Sequence, residues 1–101
     1  MINPALKVSK SEVAEFCRRH HVRALSLFGS ATREDFRPDS DVDVLIEFAE
    51  GATSGLFELV DMRDELQRIF DRPVDIATSE ILRNPYRRQA ILKELERVYA
   101  E

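Results

Sequence analysis

Apolar residues recur along the chain with two different periods, and the switches between them divide it into elements. Behind Ser9 and Glu12, the residues Val13, Phe16, Cys17 and His20 return at three- and four-residue intervals. That spacing lines one face of a helix over about residues 10–21, and Ser9 with Glu12 reads as its capping box. "ALSLF" (24–28) is a continuous apolar run closed by Gly29, which reads as a short buried strand. "DVDVLIEF" (41–48) alternates and then becomes mostly apolar, as a strand does when one end opens on a site. A loop follows over 49–55. Leu56, Leu59, Met62, Arg63, Leu66, Ile69 and Phe70 then set a mostly apolar stripe on a second, longer helix.

"DRP" (71–73) turns the chain into "VDIA" (74–77), a third short strand, after which Ser79 is placed to cap one helical turn. Asn84-Pro85 makes a cap and first position for a last helix, with Ile91, Leu95 and Val98 facing inward. Its end, "RVYAE", reads either as more helix or as a short strand. The order predicts an α/β (α+β) fold: a small mixed sheet of three to four strands flanked by helices.

Length and composition narrow the class. A chain of 101 residues without repeats or linker-like segments is expected to be a single domain spanning 1–101. Fifteen Lys and Arg against nineteen Asp and Glu give a net charge of −4, which argues against broad, nonspecific binding to nucleic acid. The cations are uneven, however: Arg83, Arg87, Arg88, Lys93 and Arg97 gather near the end, against Glu94 and Glu96. A lone cysteine, Cys17, excludes an internal disulfide framework and suits a reducing compartment. "MINPALKVSK" has no apolar core of signal-peptide length, and no run approaches a membrane span, so a cytoplasmic location is expected.

Two features call for chemistry. Asp41 and Asp43 share one face of a strand that is mostly apolar, and Asp75 joins them if "VDIA" pairs alongside. At 4 Å and an effective dielectric of 20, each carboxylate pair repels by about 4 kcal/mol. Against a total stability of roughly 5–15 kcal/mol, three such groups need a cation or shared protons. Mg2+ takes carboxylates together with phosphate oxygens and water. Gly29-Ser30, at the end of the preceding strand, supplies a corner where backbone N–H groups and a hydroxyl can hold a phosphate. Asp39, Asp41, Asp43 and Glu50 also fall at EF-hand positions, but Val44 stands where that loop needs glycine, and "VLIEF" reads as strand.

"GSATREDFRPDSDVD" is Gly-Ser, ten residues, then Asp-x-Asp. It resembles the signature of the DNA polymerase β-like nucleotidyltransferase superfamily. With "LFGS", "RPDSDVDVLIEF" and "PVDIA" in that order, the chain from about Ala24 to Tyr99 is similar to the minimal nucleotidyltransferases (MNT), which pair with HEPN-domain toxins. The resemblance implies that fold, a nucleoside triphosphate gripped by Gly29 and Ser30, and two Mg2+ ions held by Asp41 and Asp43. Asp75 would bind the catalytic ion and help deprotonate the acceptor. The implied reaction is AMP transfer from ATP to a protein hydroxyl, a tyrosine of a HEPN toxin, which makes the chain an antitoxin. Family members often carry a basic residue after Gly-Ser, where this chain has Ala31; Arg33 and Arg37 remain as phosphate contacts.

Two alternatives stand beside this: a noncatalytic antitoxin that blocks a HEPN ribonuclease by binding it, and a small-molecule nucleotidyltransferase, which would need a further substrate domain. So small a domain has little surface to enclose nucleotide and acceptor, so a partner or a second copy is expected to complete the cleft. His20 and His21 read as helix-end residues, Cys17 as core, Tyr86 and Tyr99 as packing residues. Arg87 and Arg88 read as a solvated helix face, with contact to substrate or partner left open.

Overall fold

Four strands form one mixed sheet in the computed structural model, which describes residues 2–52 and 55–101. They are β1 (Val22–Phe28), β2 (Val42–Phe48), β3 (Val74–Thr78) and β4 (Glu96–Ala100), in the order β3-β2-β1-β4. β1 runs antiparallel to both β2 and β4, and β2 runs parallel to β3. Three helices flank the sheet: α1 (Lys10–Arg19), α2 (Leu56–Phe70) and α3 (Pro85–Glu94). Of the loop expected over 49–55, residues 53 and 54 lie outside the described residues, as does the Leu56 side chain in the α2 stripe.

Strand alternation divides the sheet into two unlike faces. Leu25 and Leu27 of β1, Val42, Val44 and Ile46 of β2, and Val74 of β3 enter one core with Val13, Phe16 and Cys17 of α1 and Met62, Leu66 and Phe70 of α2. The intervening residues, Ser26, Phe28, Asp43, Leu45 and Asp75, belong to the opposite face. There Arg87, Ala90, Ile91 and Glu94 of α3 border a groove with Phe28. The apolar core therefore sits on the α1/α2 side, and the carboxylates of the strands sit on the α3 side.

The ambiguous "RVYAE" is strand, pairing Tyr99 with Leu25 and Arg97 with Ser26, and so satisfying the free edge of β1. α3 accordingly stops at Glu94, and Val98 packs on the core from β4 rather than from a helix. Two further expectations are corrected, and one corner is defined. Ser79 does not cap: it is the first residue of a 3-10 turn (Ser79–Arg83) entered from Thr78. The Gly29-Ser30 corner is a single 3-10 turn (Gly29–Thr32). Tyr86 is not a packing residue, being 84% exposed in the first turn of α3, whereas Tyr99 does pack on the core.

Candidate active site

The register of the two parallel strands brings the carboxylates together. Asp43 of β2 lies opposite Asp75 of β3, and Phe28, the last residue of β1, lies opposite Asp43 on the other side. Asp41 sits one residue before β2 begins and is exposed, as is Asp75, while Asp43 is half-buried between them. Burial first, then the negative charges of Asp75 and Asp41, push the Asp43 carboxyl above its ordinary value; the Arg33 charge opposes them.

Gly29 presses directly on this group. Its φ of 71° lies in the left-handed region that glycine tolerates, and a Cβ there would stand 2.3 Å from Asp43 Oδ2. The Gly-Ser corner and the carboxylates thus form one continuous surface. Ser30 Oγ donates to the Asp41 carbonyl at 3.4 Å, and Thr32 Oγ1 donates to the Gly29 carbonyl at 2.9 Å, closing the turn upon itself.

Two residues that sequence reasoning passed over hold the loop between this corner and β2. Asn3, buried near the start of the chain, donates from its backbone to Ala31 O (2.8 Å) and from Nδ2 to Arg33 O (2.7 Å). Its Oδ1 accepts from Ala5 N–H in an Asx turn around Pro4, and the Asn-Pro pair is the signal that could have revealed it. Arg72 stacks over Phe36 at 4.4 Å and donates to Arg37 O at 2.6 Å, tying the loop to the entry of β3. Ala31, the residue after Gly29-Ser30, is fully buried in the core.

The two arginines proposed for phosphate are placed differently. Arg33 donates from Nη1 to both oxygens of Glu94 (2.9 and 3.0 Å) and from Nε to Asp35 (3.0 Å), which locks the loop to α3. Arg37 lies where its charge acts on Asp35, outside the charges that act on Asp43. Arg87 is exposed, as the solvated-face reading expects, and also joins Phe28, Asp43, Asp75, Ile76, Ala77 and Ile81 in lining a cleft of about 360 Å³. That volume lies within the roughly 300–1,000 Å³ of small-molecule sites.

The donor chemistry fits a hard divalent ion. Three carboxylates approach one end of the sheet, and the Asp43 carboxyl is raised first by burial and then by the charges of Asp75 and Asp41, both of which a bound cation would offset. Among the described residues no three acidic, His or Cys groups close into a ready cage. Such an open set suits an ion that completes its shell from phosphate oxygens and water. Cys17 is inert by contrast: burial pushes its thiol up to about 12, far from any nucleophilic thiolate.

The profile of the nucleotidyltransferase domain family matches residues 10–98. A Methanocaldococcus jannaschii protein provisionally assigned as a protein adenylyltransferase is 30% identical over 93 residues, covering 84% of this chain and 93% of its own. The protein adenylyltransferase MntA of Thermococcus cleftensis is 30% identical over 83 residues, 82% of this chain and 79% of that protein. A solved structure provisionally assigned as a minimal nucleotidyltransferase superposes with a TM-score of 0.66 at 33% identity, covering 86% of both chains. Two more distant structures, each 17% identical, share the fold. One is a toxin–antitoxin with AMP-PNP (TM-score 0.71; 93% of this chain, 75% of that one). The other is a tri-AMPylated Shewanella oneidensis HEPN toxin in complex with an MNT antitoxin (TM-score 0.62; 91% and 70%).

Proposed function

The chain belongs to the nucleotidyltransferase domain family, as a minimal member of it and hence an enzyme, and from that premise we propose that it transfers AMP from ATP to a hydroxyl of a partner protein. The partner in this reading is a HEPN-domain toxin, the acceptor is a tyrosine, and the chain is the antitoxin of the pair. The similarity to a complex of an AMPylated HEPN toxin with an MNT antitoxin supports this choice of partner.

One observation carries the reading: the Gly29 corner lies against Asp43, which in turn faces Asp75 across the parallel ladder. A corner able to hold phosphate and two carboxylates on neighbouring strands meet the needs of in-line displacement at phosphorus, where catalysis is chiefly positioning and charge stabilisation. Gly29 and Ser30 hold the phosphate chain, and Asp41, Asp43 and Asp75 are the residues that would hold Mg2+. When bound, the ion neutralises the carboxylates and the phosphates together. The acceptor oxygen forms a bond to the α-phosphorus as the α–β bridging bond breaks, and pyrophosphate leaves. Asp75, the exposed member of the triad on β3, receives the hydroxyl proton. Arg33, held by Glu94, steadies the loop before Asp41 rather than meeting phosphate itself.

Co-expression with a HEPN partner tests this. The wild-type chain is expected to relieve toxicity and to leave the partner heavier by AMP in an intact-mass spectrum. Asp43→Asn and Asp75→Asn should bind the partner yet lose both effects. Full relief by the two variants, with an unmodified partner, would establish neutralisation by binding alone.

A further inference from the structure

Arg87 is the one basic side chain among the described residues lining the cleft with Asp43 and Asp75. Its position is built, not incidental: Asn84 Oδ1 accepts from the N–H groups of Tyr86 (3.0 Å) and Arg87 (3.2 Å), fixing the first turn of α3 beside the carboxylates. Helix stability does not account for it, because a cation in the first turn faces the positive end of the helix dipole, and that turn carries no acid.

A charge-neutralising role within the protein does not account for it either. Among the described residues no carboxylate lies within 4.0 Å of the Arg87 guanidinium, although two border the same cleft. Arg33 is the contrasting case, with its donors committed to Glu94 and Asp35. Arg87 thus offers an uncommitted planar fork to whatever fills the cleft, on a surface where every other charge is negative. A guanidinium fork matches two non-bridging phosphate oxygens, which an ammonium group cannot reproduce.

We propose that Arg87 binds the phosphate chain of the nucleoside triphosphate across the cleft from Asp43 and Asp75. This rests on the nucleotidyltransferase reading above and adds to it the residue that selects a triphosphate over a monophosphate.

Equilibrium titration of ATP and of AMP in magnesium buffer, without acceptor, tests the assignment. Arg87→Ala and Arg87→Gln, the latter keeping much of the stem, should bind ATP about 10- to 100-fold more weakly, the size of a lost charged hydrogen-bond pair. Their binding of AMP should change by less than about threefold, and Arg87→Lys should fall between. Arg88→Ala, which borders the outer groove of α3 with Gln89 and Leu92, should bind ATP as the wild type does. Unchanged ATP binding by the Arg87 variants overturns the assignment, and a fall only in transfer to protein would then place Arg87 on the acceptor side. Equal weakening of ATP and AMP overturns it as well, moving the contact to the base or sugar. A wild-type chain that binds no ATP would instead overturn the nucleotidyltransferase reading, and this assignment with it.

Discussion

Gly29 joins two halves of the site that the chain holds eleven or more residues apart. Its positive φ and its contact with Asp43 are separate constraints, and substitutions can separate them. Gly29→Ala is expected to cost about 1–3 kcal/mol from backbone strain, or roughly 4–8 °C in Tm for each kcal/mol in a domain of this size. It should also displace the Asp43 carboxylate and reduce nucleotidyl transfer by at least about 100-fold, as small misplacements of reacting groups do. Gly51 has a φ of 80° with nothing within 4 Å of an added Cβ. Gly51→Ala should therefore lose comparable stability and keep transfer, as thermal melts and a transfer assay on both variants would show.

The residues of this site differ in how far sequence displays them. Asp43 and Asp75 stand out because carboxylates interrupt apolar strands, and Asp41 because it stands at the entry to β2; the parallel register then seats Asp43 opposite Asp75. Asn3, Arg72 and Arg87 are hidden because each acts at long sequence separation, through a backbone carbonyl or a cleft wall that only the fold assembles.

Among the elements, periodicity locates α1, α2 and the first three strands to within about two residues, since each presents one apolar face to the same core. Its failures are at the edges. α3 buries Ile91 alone, so its pattern marks no clear end, and β4 is fixed by pairing with β1 rather than by its own alternation. The seam between α1 and α2 is electrostatic as well as apolar: Glu65 of α2 pairs with Arg19 and with His20 Nε2, the latter at 2.9 Å. Burial pushes the Glu65 carboxyl upward, but the hydrogen bonds from Arg19 and His20 outweigh it and hold the group below its ordinary value.

A depressed carboxyl contributes stability above its unfolded pKa and loses it as pH falls through the folded one. Glu65→Gln should thus be less stable than wild type by about 1 kcal/mol at pH 7. The gap should close as the pH drops below the ordinary carboxylate range of about 4. Melting curves between pH 7 and the acid limit of folding would show the two converge; a gap independent of pH would assign the effect to packing.

At the scale of the whole molecule, the sheet separates stability from chemistry. One face carries the core, and the other carries carboxylates, a glycine corner and a thinly buried helix. α3 exposes Tyr86 and Leu92 and holds Arg87 over a cleft that remains open on its solvent side. A protein acceptor that closes this cleft would exclude water from the phosphorus under attack. The central claim is transfer of a nucleotidyl group to protein, and label position tests it most directly. The chain, a HEPN partner and Mg2+ are incubated with ATP labelled at the α- or the γ-phosphate, beside Asp75→Asn. The account predicts partner-bound label from the α-position alone, absent with Asp75→Asn. Label from the γ-position, or none while the partner is bound, would contradict it.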